Sequence, residues 1–131
     1  MVSDRVGDFI IRLQNAAAIG KRQVQIPHSA HLTAIAKKLK DLGFITEVKT
    51  SEEGTKQILI VTLAYTDRGA PKVQGVRRMS KPGRRIYTSH VTAHNVKGGT
   101  GARILSTPIG ILSDREARQQ RLGGEDLFEI W

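Results

Sequence analysis

The stretch from Ile104 to Arg118, I-L-S-T-P-I-G-I-L-S-D-R-E-A-R, sets the tightest limits on what this chain can fold into. Ile104 and Leu105 read as the buried end of a strand. Ser106, Thr107, Pro108 and Gly110 then form a tight loop of small hydroxyl, proline and glycine residues. Ser113 opens a short helix, because S-x-x-E from Ser113 to Glu116 lets each side chain satisfy an orphan amide at the helix start. The arrangement holds two hydroxyls at an exposed strand-to-helix turn with little room to flex. Alone, it also describes an ordinary well-capped turn, so its meaning rests on the chain around it.

That chain has 131 residues, enough for one domain or two small ones. With 39% hydrophobic residues it should fold rather than stay disordered. Its 21 Lys and Arg face 12 Asp and Glu, a formal net charge of +9 and a pI near 10.4. Such a balance is the electrostatic footprint of a nucleic-acid binder, since each neutralised phosphate releases condensed counterions. An anionic membrane is the competing partner, but no apolar run approaches a spanning length and no secretory or lipidation signal is present. The absence of cysteine excludes disulfides and thiolate metal sites, and fits a cytoplasmic protein.

In chain order, Ser3 or Asp4 caps a first helix on which Val6, Phe9, Ile10, Leu13, Ala16 and Ala17 make one apolar stripe, with Gly20 as its stop. Arg12 and Asn15 lie off that stripe. Val24 to Ile26 reads as a short strand ended by Pro27. Ser29 opens a second helix that buries Leu32, Ile35, Ala36, Leu39 and Leu42, turns Lys37, Lys38 and Lys40 outward, and ends at Gly43. Phe44 to Lys49 and Ile58 to Ala64 read as a hairpin around a Ser51–Gly54 turn. The second strand, I-L-I-V-T-L-A, is almost continuously apolar and is expected to be buried on both faces. Composition shifts at Tyr65. The expected division is an α/β domain over residues 1–65, a connector over 66–76, and a mostly β domain over 77–131. In the last, Pro82-Gly83 is a turn with basic residues on both sides, and Lys97 to Gly101 is another turn. Gly123-Gly124 ends the short helix, and Leu127 to Trp131 is a final strand with Leu127, Glu129 and Trp131 opposing Phe128 and Ile130.

Enzyme-like readings fare poorly. Lys97-Gly98-Gly99-Thr100-Gly101 lacks the G-K-[ST] ending of a phosphate loop. His90 with His94, or His28 with His31, has metal-like spacing but no cysteine or carboxylate motif to complete a site. Asp114 and Glu116 sit in a first helical turn, where negative charge offsets the helix dipole. A hydrolase using Ser106 and Asp114 has neither a nucleophile-elbow context nor an assigned base. A DNA-binding or general nucleic-acid chaperone module would use the same basic charge, and is separated by showing weak preference between RNA and DNA.

The segment S-T-P-I-G-I-L-S-D-R-E-A-R, followed by Leu122-Gly123-Gly124-Glu125, closely resembles the C-terminal signature of the bacterial ribosomal small-subunit protein eight family. Ser80-Lys81-Pro82-Gly83 with Arg85 and Tyr87 resembles the family's S-K-P-G-x-R-x-Y. Val96, Gly99 and Gly101 match V-x-N-G-x-G, while Arg12, Asn15 and Ala16 fall where the first helix has R-x-R-N-A. The chain departs from the pattern at Pro108, where the family has serine, and at Gly98, Gln14 and Arg103.

The resemblance implies an α+β fold: a small α/β N-terminal domain, two helices on a short sheet, packed against a mostly β C-terminal domain with one short helix. It implies a structural constituent of the small ribosomal subunit, cytoplasmic, which binds the central domain of small-subunit ribosomal RNA and orders it during assembly. Its partners would be that RNA and neighbouring small-subunit proteins, and some members also repress their own messenger RNA. A free monomer is expected, with no enzyme activity, cofactor, metal or membrane. Carried onto this chain, Ser106 and Thr107 would hydrogen-bond to bases or 2′-hydroxyls. Tyr87 would stack on or bond to a base or sugar, with Lys81 and Arg85 on phosphates. Gly123 and Gly124 would allow close backbone approach. Glu125 would accept from a base amine or hold the loop, and Arg12 and Asn15 would add contacts from the first helix.

Overall fold

A computed structural model describes residues 4–88 and 101–131, so His90, His94, Val96 and the Lys97–Thr100 part of the expected turn lie outside the described residues. The chain divides into two compact units, Asp8–Gln74 and residues 1–7 with Gly75–Trp131. The fold is α+β: two helices accompany a three-stranded sheet, and a β-rich region follows with one short helix.

In the Asp8–Gln74 unit, α1 (Arg5–Ala18, its first turn belonging to the other unit) forms on the expected stripe, and Phe9, Ile10 and Leu13 are fully buried. Strand β1 (Gln23–Pro27) follows, then α2 (Ala30–Asp41), whose N-cap Ser29 accepts from the Leu32 amide at 3.1 Å. Strands β2 (Ile45–Glu53) and β3 (Lys56–Leu63) complete an antiparallel sheet ordered β1-β3-β2. Pro27, which has no amide to donate, accordingly sits on an edge strand. Two expectations are corrected. The hairpin pairs as far as Glu53 with Lys56, so its turn is Gly54-Thr55, with Gly54 at φ +64°. In β3, Leu59, Val61 and Leu63 are buried but Ile58, Ile60 and Thr62 are only half-buried. Its apolar run thus reflects a central, β-branched strand with one face more fully covered than the other.

The other unit is built on β8 (Gly124–Ile130). One side of β8 pairs with β6 (Ala102–Thr107), which pairs in turn with β7 (Gly110–Ser113). The opposite side takes β4 (Val76–Arg78) and β5 (Tyr87–Thr88). The strand begins at Gly124, earlier than the expected Leu127. Its simple alternation is broken by a bulge, because Ile104 pairs with Phe128 but Leu105 with Asp126. The extra residue, Leu127, is therefore buried beside Phe128 instead of opposing it. Helix α3 (Asp114–Gln120) starts with the expected capping box: Ser113 Oγ accepts from the Glu116 amide at 3.3 Å, and Glu116 Oε1 from the Ser113 amide at 3.2 Å. Asp114 is buried, and its carboxylate takes the Arg103 amide at 3.1 Å and Arg118 at 3.0 Å. The helix does not stop at Gly123-Gly124. Arg121 ends it in the left-handed region, at φ 56° and ψ 42°.

Candidate nucleic-acid interface

Strand register assembles the C-terminal candidates. Tyr87 pairs with Glu125, Glu125 with Ser106, and Ser106 with Ile111. Directly opposed residues on neighbouring strands point to the same face, so these four side chains form one row across the sheet. Tyr87 is 72% exposed, so its ring is not part of the core. Glu125 accepts from Arg85 Nη1 at 3.2 Å, so the carboxylate holds the basic loop and lowers the net positive charge Arg85 presents.

The loop that carries Lys81 and Arg85 is closed twice. Lys81 and Arg84 exchange both backbone hydrogen bonds at 2.9 Å around Pro82-Gly83. Beneath them Ser80, 0% exposed, donates its hydroxyl to the Ile86 carbonyl at 3.0 Å and accepts from the Ile86 amide at 2.8 Å. Its own amide donates to the Asp126 carbonyl at 2.9 Å, and the Asp126 amide returns to Ile86 at 2.8 Å. Sequence reasoning missed Ser80 as a residue that matters to the site. Its only signal was its place before K-P-G, and serine beside a turn ordinarily reads as a surface residue. Ser80→Ala leaves the Ile86 amide without this partner, while the Ile86 carbonyl keeps the Asp126 amide, and is expected to cost about 1–2 kcal/mol in urea unfolding. A loss under about 0.5 kcal/mol would show that the clamp is dispensable.

At the β6–β7 hairpin, Pro108 and Ile109 are exposed, Ile109 at 61%, and Gly110 adopts φ +131°. Thr107 Oγ1 donates to the Gly110 carbonyl at 2.7 Å, so its proton is committed and its lone pairs are what remain for a partner. The Ser106 hydroxyl has no hydrogen-bond partner among the described residues and keeps both capacities. Gly124 needs its missing side chain for an internal reason. A Cβ there would stand 2.2 Å from the Ser106 carbonyl oxygen. Gly123 lies half-buried just before β8.

Arg12 and Asn15 belong to the Asp8–Gln74 unit and are exposed on α1. Arg12 pairs with Asp8 at 3.2 Å and donates to the Gln25 carbonyl at 3.1 Å. With Asn15, Lys21 and Gln23 it lines a shallow groove between the end of α1 and β1. Among the described residues, no group of His, Asp and Glu is arranged to hold a metal ion, and no helix is long and apolar enough to cross a membrane.

Hydroxyls, an exposed aromatic ring and cations are thus set on the sheet ends and short loops of a basic chain. The family model described as Ribosomal protein S8 matches residues 4–131, and the chain belongs to that family, whose members are structural proteins of the small ribosomal subunit and not enzymes. Small ribosomal subunit protein uS8 of Nostoc punctiforme is 39% identical over 130 residues, covering 98% of each chain. That of Roseiflexus castenholzii is 42% identical over 130 residues, covering 99% of this chain and 98% of its own. Small ribosomal subunit protein uS8c of Angiopteris evecta is 42% identical over 132 residues and is matched over 100% of both chains.

Proposed function

We propose that this protein binds the central domain of small-subunit ribosomal RNA directly and orders it as the subunit assembles. The observation that carries the reading is the row Tyr87–Glu125–Ser106, which lines up an exposed aromatic ring, a carboxylate and a hydroxyl with no partner among the described residues beside a cationic loop. RNA is read mainly where its helices are irregular, through stacked or splayed bases and 2′-hydroxyls, and small groups on a rigid support suit that task. Tyr87 offers a face to a base or sugar. Ser106 and Thr107 offer hydrogen bonds at close range, with Thr107 restricted to accepting. Lys81, and Arg85 as far as Glu125 leaves it free, reach phosphates that fix the register of the complex. In this reading residues 77–131 form the main RNA-binding domain. Arg12 and Asn15 add contacts from the first helix. The protein's own messenger RNA would be bound by the same face where the transcript presents the same shape.

The test is to compare binding to a folded central-domain RNA fragment, random RNA and duplex DNA at one salt concentration. Selective binding to the fragment supports the reading, and equal binding to all three points instead to a general nucleic-acid chaperone. Lys81→Ala is expected to weaken binding to every RNA and to reduce the salt slope by about one. An unchanged slope would place the loop away from the RNA.

A further inference from the structure

Among the described residues, the backbone enters the left-handed region at Gly20, Gly43, Gly54, Gly69 and Gly110, and at one residue that carries a side chain, Arg121. Its amide donates to the Ala117 and Arg118 carbonyls, which fixes it as the residue where α3 stops. Glycine or asparagine ordinarily fills a left-handed helix stop, because a larger side chain crowds the backbone there. An arginine therefore keeps a standing penalty at this place, and something must offset it.

Nothing within the described chain does so. The Arg121 side chain is exposed and makes no ion pair or hydrogen bond to a described residue. Its charge does face the negative end of the α3 dipole, but that attraction is weak at an exposed position and is screened by salt. The last turn of α3 already holds a cation, Arg118. The chain then runs from Arg121 through Leu122 and Gly123 into Gly124 and Glu125. Glu125 of the Tyr87–Glu125–Ser106 row follows four residues on, at most about 14 Å along the chain, so Arg121 stands at the head of the segment that leads into the row. Strained backbone at an exposed position, carrying a cation with no partner among the described residues and leading into a candidate binding surface, is the pattern of a residue kept for an external ligand.

We propose that Arg121 is a phosphate contact of the RNA-facing surface, held at the end of α3 in a strained conformation that aims its guanidinium outward. The proposal rests on the RNA-binding reading above. Guanidinium matches a phosphate with paired hydrogen bonds, which suits one strongly placed contact. The strain makes an unusual pair of predictions, because removing the side chain should help the fold and hurt the binding.

Arg121→Gly is expected to raise Tm by roughly 1–3 °C. The same variant should bind the folded central-domain fragment about 3- to 10-fold more weakly near 0.1 M salt, with a salt slope smaller by about one. Arg121→Asn, which tolerates the left-handed region, should show the same loss of slope, and Arg121→Lys should keep the slope. An unchanged slope in both the Gly and Asn variants, from a parent that binds the fragment selectively, overturns the proposal while leaving the RNA reading intact. A fall in Tm for Arg121→Gly overturns it also, by showing that the arginine serves the helix end. A parent with no preference for the fragment overturns the RNA reading and this proposal with it.

Discussion

Gly124→Ala is expected to lose about 2–3 kcal/mol of stability, a large share for one methyl group. The added Cβ would lie 2.2 Å from the Ser106 carbonyl oxygen, 2.8 Å from its carbon and 3.1 Å from the Thr107 Cα. All three are backbone atoms of a paired strand, so no side-chain rotation relieves the clash. Strands β6 and β8 must separate at the level where Glu125 pairs with Ser106, which is also where the candidate interface is assembled. Affinity for the central-domain RNA should therefore fall together with stability, by about tenfold or more where the equivalent of 1.4 kcal/mol of contact is lost. Gly83→Ala is the control. Nothing lies within 4 Å of its added Cβ, and the change should stay within about 0.5 kcal/mol. Urea unfolding with the Ser106 amide followed by NMR decides the matter. A Gly124→Ala protein as stable as its parent, with that amide unshifted, would show that the two strands part freely.

The case of Gly124 shows where sequence reasoning stops. Its motif was legible, but the close approach expected there was to RNA, and the one the structure shows is to the chain's own backbone. That approach was not legible, because the partner, Ser106, is brought there by strand register. The same holds for Glu125. A carboxylate in G-G-E reads equally as a ligand for a base or as a tie within the protein, and only the pairing of Tyr87 with Glu125 sets Arg85 at 3.2 Å from it. Local signals fared better. The Ser113 capping box, the Ser29 cap, the α1 apolar stripe and the α2 stripe from Leu32 to Leu39 depend on residues three or four apart and appear as expected. Leu42, expected on that stripe, is instead the C-cap of α2 and is exposed.

Two features left little or no local mark. An extra residue in β8 cannot be seen in a run as apolar as Leu127 to Ile130, since alternation and its interruption look alike there. Ser80 is buried by strands that lie far from it in sequence, and a buried serine is indistinguishable from a surface one until those strands are placed. Arg121 is the reverse case. A glycine-based reading put the helix stop at Gly123-Gly124, and the chain instead placed a strained arginine before them.

Asp4→Ala is expected to cost about 2–4 kcal/mol, by removing a helix cap and a charge partner together. Asp4 Oδ1 accepts from the Gly7 amide at 3.0 Å, capping α1. The same carboxylate takes Arg78 in a paired geometry, Nε to Oδ2 and Nη2 to Oδ1, each at 3.0 Å. Arg78 Nη1 donates to the Leu127 carbonyl, and its side chain is only 11% exposed. Deleting the carboxylate therefore strands a guanidinium that water hardly reaches. Asp4→Asn should be milder, about 1–2 kcal/mol, because asparagine caps helices well but brings no charge. Gly7 belongs to the same arrangement, since a Cβ there would stand 2.4 Å from Asp4 Oδ2. The pH dependence separates charge from capping. Burial of Asp4 opposes its ionisation, but the Arg78 hydrogen bonds, the Gly7 amide and the charges of Arg78 and Arg85 together outweigh it and hold the carboxyl below its ordinary 3.8. A depressed folded pKa gives stability that is present above the unfolded value and is lost as pH falls through the folded one. The gap between parent and Asp4→Asn should thus be constant above about pH 5 and narrow steadily below it. A gap that stayed constant down to about pH 2 would assign Asp4 to capping alone, and a gap that widened would contradict the pairing with Arg78.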